Sequence, residues 1–256
     1  MTAQATLNRY GSLCAEIYDI DKPPGALFDI PHYTAILKSV TGPVLEAAVG
    51  TGRIFVPLLQ AGFDMYGFDH SAHMLAICRH NAQTRGYTAR VHQARFTDFA
   101  YEHEFGAIIV PTSTIILIDD FDTAMSVLRR FHAHLRPGGL LALDIPPMDF
   151  FGPAPERARA WTAPNGDLLR MEAQLVDIDV VRQRRVEHDR YERWRDGKLI
   201  ESELEVFAYR SWGLQEFELA LRAAGFEIRS IGANFQPGRK PKSGDRIFNF
   251  IAAKPG

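Results

Sequence analysis

Residues 44–53 read VLEAAVGTGR, a short apolar run with an acidic side chain at its end and two glycines directly after it. The run VLEA predicts a buried strand, and RIFVPLLQAG predicts a helix ended by Gly62. A strand, a glycine turn and a helix in that order open a ligand site in α/β sheets, where ligands lie at the carboxyl ends of strands. Glu46 narrows the choice of ligand. A pyrophosphate would be repelled by that carboxylate, whereas an ammonium or sulfonium would be favoured, because an unpaired cation in a poorly solvated cleft is costly.

Two phosphate-binding patterns fit poorly. A dinucleotide turn of the G-x-G-x-x-G type, aligned on Gly50, places Ala48, Gly50 and Arg53 at its three glycine positions, and arginine at the third blocks close packing of helix on strand. A nucleotide-hydrolase loop needs Lys followed by Ser or Thr at the helix start, which GTGRIF lacks.

Outward from this turn the chain alternates strands with helices. DMYGFD is the next strand, Ser71 is placed to cap a helix running through Asn81, and TARVHQA, FGAIIVP and LLALDIP read as further strands. Their near-continuous apolar character suits a parallel sheet covered on both faces. TAMSVLRRFHAHL is an amphipathic helix stopped by the turn RPGG. After Pro153 the period changes to two: LLRMEAQLVDIDVV, RRVEHDRYERW and LIESELEVFAYR predict three antiparallel strands, with Asp196-Gly197 as a hairpin turn. The α/β pattern resumes at GLQEFELALRAAGF, followed by FEIRSI and RIFNFIAA. The expected fold is α/β: a doubly wound, mostly parallel, seven-stranded Rossmann-like sheet with an antiparallel β insertion after the fifth strand. The boundaries are an N-terminal helical cap over 1–40, a core over 41–152, the insertion as cap or interface module over 153–212, and completion of the core over 213–256.

The 256 residues carry a net charge of −2, which provides no global field for nucleic acid. RQRRVEHDRYERWRD mixes basic and acidic residues along a strand pattern and reads as a solvated face. No apolar N-terminal run indicates a signal peptide or membrane anchor. Cys14 and Cys78 read as reduced thiols in a cytoplasmic protein. His70 and His73, or His132 and His134, have no third ligand at metal spacing, so no metal is expected.

VLEAAVGTGR, YGFDHSAHML and the strand blocks up to LRPGGLLALDIP resemble the class I S-adenosylmethionine-dependent methyltransferases over most of residues 40–147. The resemblance implies S-adenosylmethionine as methyl donor and S-adenosylhomocysteine as product. It places Glu46, Ala48, Gly50 and Gly52 along the donor's methionine part, Asp69 on the two ribose hydroxyls, and Tyr18 on the donor carboxylate. Arg95 stands where many members carry an aspartate for the adenine amino group, so adenine falls to Phe96, Thr97 or Asp98 with apolar contact from Phe96 or His70; Pro111 closes the fourth strand beside the donor. The insertion resembles that of small-molecule N-methyltransferases, where it roofs the active site and can pair subunits. The implied reaction is methylation of a small molecule, at nitrogen ahead of oxygen or carbon, with Tyr10, Thr112, Ser113 and Tyr209 as candidate acceptor contacts and a homodimer through the insertion. Asp144 is either a base or a strand-end acid orienting a loop. A nicotinamide-dependent oxidoreductase and a non-catalytic donor-binding protein are the competing readings.

Overall fold

The computed structural model describes residues 7–26, 28–153 and 156–256. Two short helices, α1 (Ser12–Asp21) and α2 (Ile30–Leu37), precede the alternating core. The core runs β1 (Val44–Ala47), α3 (Phe55–Gln60), β2 (Met65–Asp69), α4 (Ala72–Gln83), β3 (Val91–Gln93), β4 (Phe105–Val110), α5 (Phe121–His134) and β5 (Leu135–Ile145). The insertion contributes β6 (Arg157–Thr162), β7 (Leu168–Asp179), β8 (Arg184–Arg195) and β9 (Lys198–Arg210). α6 (Leu214–Ala223), β10 (Glu227–Ala233) and β11 (Phe248–Ala253) complete the chain.

Seven strands form one sheet in the order β10-β11-β5-β4-β1-β2-β3, and β6 to β9 form a second, antiparallel sheet. β1 pairs in parallel with β2 and β4, so its carboxyl end lies between two neighbours whose ends face the same way. β11 runs antiparallel to β5 and β10. Every residue of β1 and β4 is buried, as the continuous apolar runs required. One face of the sheet packs Phe105, Phe131, Phe217 and Phe250 into a core. The opposite face packs Tyr33, Phe55, Leu58 and Leu75.

A third cluster joins α1 to the insertion through Leu13, Cys14, Ile17, Leu169, Tyr191 and Phe207. Helix α1 is docked there by its N-terminus, whose free amides need acceptors. The Glu203 carboxylate of β9 accepts from Leu13 N at 3.0 Å and Cys14 N at 3.2 Å, and Glu205 accepts from Gly11 N at 2.8 Å. Both cysteines are free and buried. Among the described residues no helix is long and apolar enough to cross a membrane.

Four local expectations change. The insertion sheet has four strands, not three: β6, RARAWT, is an almost wholly exposed edge strand, and so lacks the apolar alternation that marks a half-buried one. The helix after the glycine turn begins at Phe55, because residues 51–54 are still turning. The third strand of the core is only Val91–Gln93. RPGG does not lie outside the sheet; it bulges within β5, where the register on β4 jumps from Phe105 opposite Leu135 to Ala107 opposite Leu140.

Candidate functional site

The backbone after β1 turns through three left-handed residues, Ala48 at φ 56°, Gly50 at φ 55° and Gly52 at φ 87°. Gly52 is required twice over, since a Cβ there would also come within 3.0 Å of Cys78 Sγ and Val56 Cγ2. Gly67 on β2 stands opposite Glu46, and a Cβ on it would strike Val49 Cγ1 at 2.2 Å. The turn is thereby seated directly on the end of β2. There Asp69 Oδ2 accepts from Gly50 N at 2.9 Å and Oδ1 accepts from Ser71 N at 2.8 Å. A carboxylate offers about four acceptor sites, so each Asp69 oxygen keeps one for a ligand. Burial pushes the Asp69 pKa up while the amide hydrogen bonds oppose it. Ser71 caps α4 by accepting from Met74 N, as its position predicted.

A cleft of about 270 Å³ opens over this turn. Tyr10, Tyr18, Ala48, Gly50, Asp69, His70, Phe96 and Thr97 all line it. Asn8, Met74, Leu117 and Asp119 line it as well, without having been singled out in the sequence. Arg95 also lines it, and its backbone N donates to Asp98 Oδ1 at 2.7 Å, so Asp98 is engaged in the local turn. Residues 8–11 cross the cleft as a strap. The Asn8 amide donates to Leu117 O and Ala208 O, Asn8 O meets His70 Nε2 at 2.6 Å, and Tyr10 O accepts from Ser71 Oγ at 2.7 Å. Asn8 and Tyr10 adopt left-handed backbone, each at φ 52°.

Glu46 lies behind the turn, 2% exposed, and its Oε2 has no hydrogen-bond partner among the described residues. Burial raises its pKa well above the usual carboxylate range, with the positive charge of Arg53 working the other way. Arg53 is the residue whose role the sequence concealed. It was legible only as a misfit for a dinucleotide turn, yet it is buried and doubly paired, its two Nη atoms donating to Asp29 at 2.7 and 2.8 Å. It also reaches Thr112 Oγ1 and Ala26 O, and its charge acts on the buried Tyr18 hydroxyl nearby. A cation at the start of a helix is unfavourably placed against the dipole. That signal calls for a nearby acid, and Asp29 at the start of α2 supplies it.

The remaining candidates sit around the cleft, not on its wall. Gly52 packs inward, and Pro111 is buried at the end of β4. Thr112 and Ser113 follow at φ 61° and 55°, a strained pair. Asp144 holds them: it is fully buried and accepts from Ser113 N at 2.6 Å, Ser113 Oγ at 2.8 Å and Tyr33 OH at 2.7 Å. Three donors reach it and solvent does not, and burial lifts its pKa to about 6. Tyr209 is half-buried on the insertion, stacked on Phe207 with ring centroids 6.1 Å apart.

A family model described as a methyltransferase domain matches residues 44–139. Over those residues the match bears out the resemblance to S-adenosylmethionine-dependent methyltransferases. The match brackets the glycine turn, Asp69 and the strand ends that build the cleft. Glycine/sarcosine N-methyltransferase of Halorhodospira halochloris is 35% identical over 103 residues, which are 40% of this chain and 38% of that protein. The chain thus matches well under half the length of that curated relative. Among solved structures, the CcbJ methyltransferase of Streptomyces caelestis superposes with a TM-score of 0.75 at 20% identity, covering 96% of this chain and 98% of that one. The sugar N-methyltransferase KedS8 of Streptoalloteichus sp ATCC 53650 superposes at 0.74 and 19% identity over the whole of both chains. These structural likenesses include the second sheet as well as the core.

The residues present fit the donor. S-adenosylmethionine carries an ammonium, a carboxylate, a sulfonium and a ribose with two vicinal hydroxyls. The orphaned Glu46 oxygen is an acceptor lacking a donor, the Tyr18 hydroxyl on the cleft wall is a donor suited to a carboxylate, and Asp69 lines the cleft with acceptor capacity for a diol.

Proposed function

We propose that this chain transfers a methyl group from S-adenosylmethionine to a nitrogen of a small molecule. One observation supports the donor half: the glycine turn sits between Glu46, buried behind it with an unpartnered carboxyl oxygen, and Asp69, which lines the cleft. The nitrogen is supported by the names of the relatives, a glycine/sarcosine and a sugar N-methyltransferase.

The sulfonium already activates the methyl carbon, so the protein contributes alignment and exclusion of water. The Asp69 carboxylate orients the ribose, and Tyr18 orients the amino-acid end. The strap of residues 8–11 closes the cleft from solvent, and the second sheet roofs the acceptor side. Asp144 keeps Thr112 and Ser113 in a left-handed turn at the end of β4, where the acceptor approaches the methyl carbon. A neutral amine then needs no base in the transition state, only loss of its proton beforehand.

The outer face of the roof exposes Leu168, Leu199 and Leu204, which are 44%, 48% and 55% accessible. Leu168 and Leu199 both register on Trp194, so they share that face. This is the surface through which a homodimer would pair, and light scattering of the purified chain reads its mass directly.

The reaction is tested with a panel of aliphatic amines, phenols and enolisable acids incubated with S-adenosylmethionine and followed by mass spectrometry. The reading expects the amines to gain the mass of one methylene while S-adenosylhomocysteine accumulates. Methylation confined to phenols or carbon acids would replace the nitrogen acceptor, and donor binding without turnover on any acceptor would leave a binding protein.

A further inference from the structure

The inner face of the roof carries an acidic row that the donor site does not use. Arg157, Ala173, Asp189 and Glu205 stand directly opposite one another across β6, β7, β8 and β9. Two carboxylates therefore sit side by side in a buried position, 6% and 1% exposed, where like charges repel. Two of the cations nearby are spent on Glu187, and the third holds one Glu205 oxygen, which also accepts from Gly11 N at 2.8 Å. Arg157 pairs with Glu187 Oε2 at 3.0 Å, Arg185 pairs with Glu187 Oε1, and Arg9, half exposed, meets Glu205 Oε1 at 3.1 Å. Asp189 Oδ1 and Glu205 Oε2 have no hydrogen-bond partner among the described residues, and the remaining contact of Asp189 is a 3.5 Å approach of Tyr191 OH. Unpaired carboxylate oxygens this deep are costly unless a ligand completes them.

The row adjoins the donor cleft through aromatic rings. Tyr10 lines that cleft and packs edge-on against Phe207 at 5.0 Å, and Phe207 stacks on Tyr209. The residue opposite Asp189 on β7 is the small Ala173.

We propose that Asp189 and Glu205, walled by Tyr10 and Tyr209, form the acceptor subsite, and that the acceptor is a basic amine which enters as its ammonium ion. This rests on the methyl-transfer reading above and narrows it to amines that are charged near neutrality, in place of amides or aromatic amino groups. The ammonium gives one proton to the Asp189 carboxylate and becomes a neutral amine. Its lone pair then forms the N–C bond as the C–S bond breaks, so the positive charge moves from sulfur to nitrogen. Burial and the neighbouring Glu187 push the Asp189 pKa up to about 7, with Arg157 and the Tyr191 hydroxyl opposing and Glu205 adding to the rise. Cys14 of α1 and Tyr209 of β9 face the same carboxylate, and burial keeps both protonated. A carboxyl so placed exchanges a proton with an ammonium at little cost.

The probe pair is cyclohexylamine and cyclohexanol, alike in shape and different in charge, titrated calorimetrically into the protein with and without S-adenosylhomocysteine. The native chain is expected to hold the amine at least tenfold more tightly than the alcohol. Asp189→Asn, isosteric and free of the buried repulsion, should melt no lower than the native chain and lose that preference at least tenfold, and Glu205→Gln should weaken it in the same direction. Equal binding of amine and alcohol by the native chain overturns the subsite, as does an undiminished amine preference in Asp189→Asn. Failure of the donor reading looks different: S-adenosylhomocysteine would not bind, whatever the amine does.

Discussion

The backbone N–H of Gly50 donates to Asp69 Oδ2 at 2.9 Å, tying the glycine turn after β1 to the acid at the end of β2. One side chain thus shapes the cleft and offers itself to the ligand. Replacing it with alanine removes the bonds to Gly50 and Ser71 together with the ribose acceptor. For Asp69→Ala, donor binding is expected to weaken by about 2–3 kcal/mol, on the order of a hundredfold in Kd, and the melting temperature to fall. Calorimetry with S-adenosylhomocysteine beside a thermal melt separates the two effects, and unchanged affinity would remove Asp69 from the donor site.

Ala48 occupies a left-handed conformation at φ 56°, which costs a residue with a Cβ roughly 1–2 kcal/mol. Part of that is returned when glycine, with its larger unfolded-state freedom, takes the position. Ala48→Gly is therefore expected to stabilise the chain by up to about 1 kcal/mol with donor affinity retained. Chemical denaturation measures it, and a clear loss of stability would show the methyl group to be packing usefully.

The Arg53–Asp29 pair is buried on both sides, with side chains 4% and 5% exposed. Removing one partner leaves an uncompensated charge, so Arg53→Met and Asp29→Ala should each cost about 3–5 kcal/mol. The double variant should recover part of that loss, because neither charge is then stranded. Strict additivity of the two single losses in denaturant melts would contradict the pairing.

Burial raises the pKa of Glu46 well above the usual carboxylate range, with the charge of Arg53 opposing. The sign follows from linkage. A carboxyl whose folded pKa lies above its unfolded one adds stability at low pH and gives it up as pH rises from the ordinary carboxylate value toward the folded one. Asp144, lifted to about 6, contributes in the same direction over the lower part of that window. The free protein should lose stability from about pH 4 upward to neutrality, and Glu46→Gln should flatten the slope. An ammonium beside Glu46 lowers that pKa, so binding of S-adenosylhomocysteine should release a proton at pH values between the free and bound pKa of this carboxyl. Titrations in buffers of different ionisation enthalpy detect it, and Glu46→Gln should abolish it. Proton release of the same size in Glu46→Gln would assign it to another group.

The sheet was legible because its signals are local: FGAIIVP is apolar throughout, VLEA and LLALDIP are apolar but for one acid each, and Ser71 and Asp196-Gly197 mark a cap and a turn at the residues that make them. The edge strand RARAWT was not, because an exposed strand has no buried face to pattern its sequence. Glu46 and Asp69 lie in the last residues of β1 and β2, as the pattern expected, while their donor roles came from the family resemblance. The partners of Arg53 were not legible, for Asp29 is 24 residues away and meets it only once α2 docks beside the turn. Asp144 shows the same limit in reverse: an acid at a strand end can face the ligand or the loop, and only Tyr33, contributed by a helix 111 residues earlier, settles that it faces inward. The strap of residues 8–11 lacks any periodic pattern, since its bonds run to Leu117, His70, Ser71 and Ala208 across the cleft.

A carboxylate-flanked turn that selects a cationic donor over a diphosphate is the core of this account, and one calorimetric comparison addresses it. The native chain is titrated with S-adenosylhomocysteine, S-adenosylmethionine and NADH under identical conditions. Saturable binding of both sulfur compounds, weakened together in Asp69→Ala on the order of a hundredfold, with no heat from NADH, is the predicted result. Saturable binding of NADH, or no binding of either sulfur compound at millimolar concentration, would contradict it.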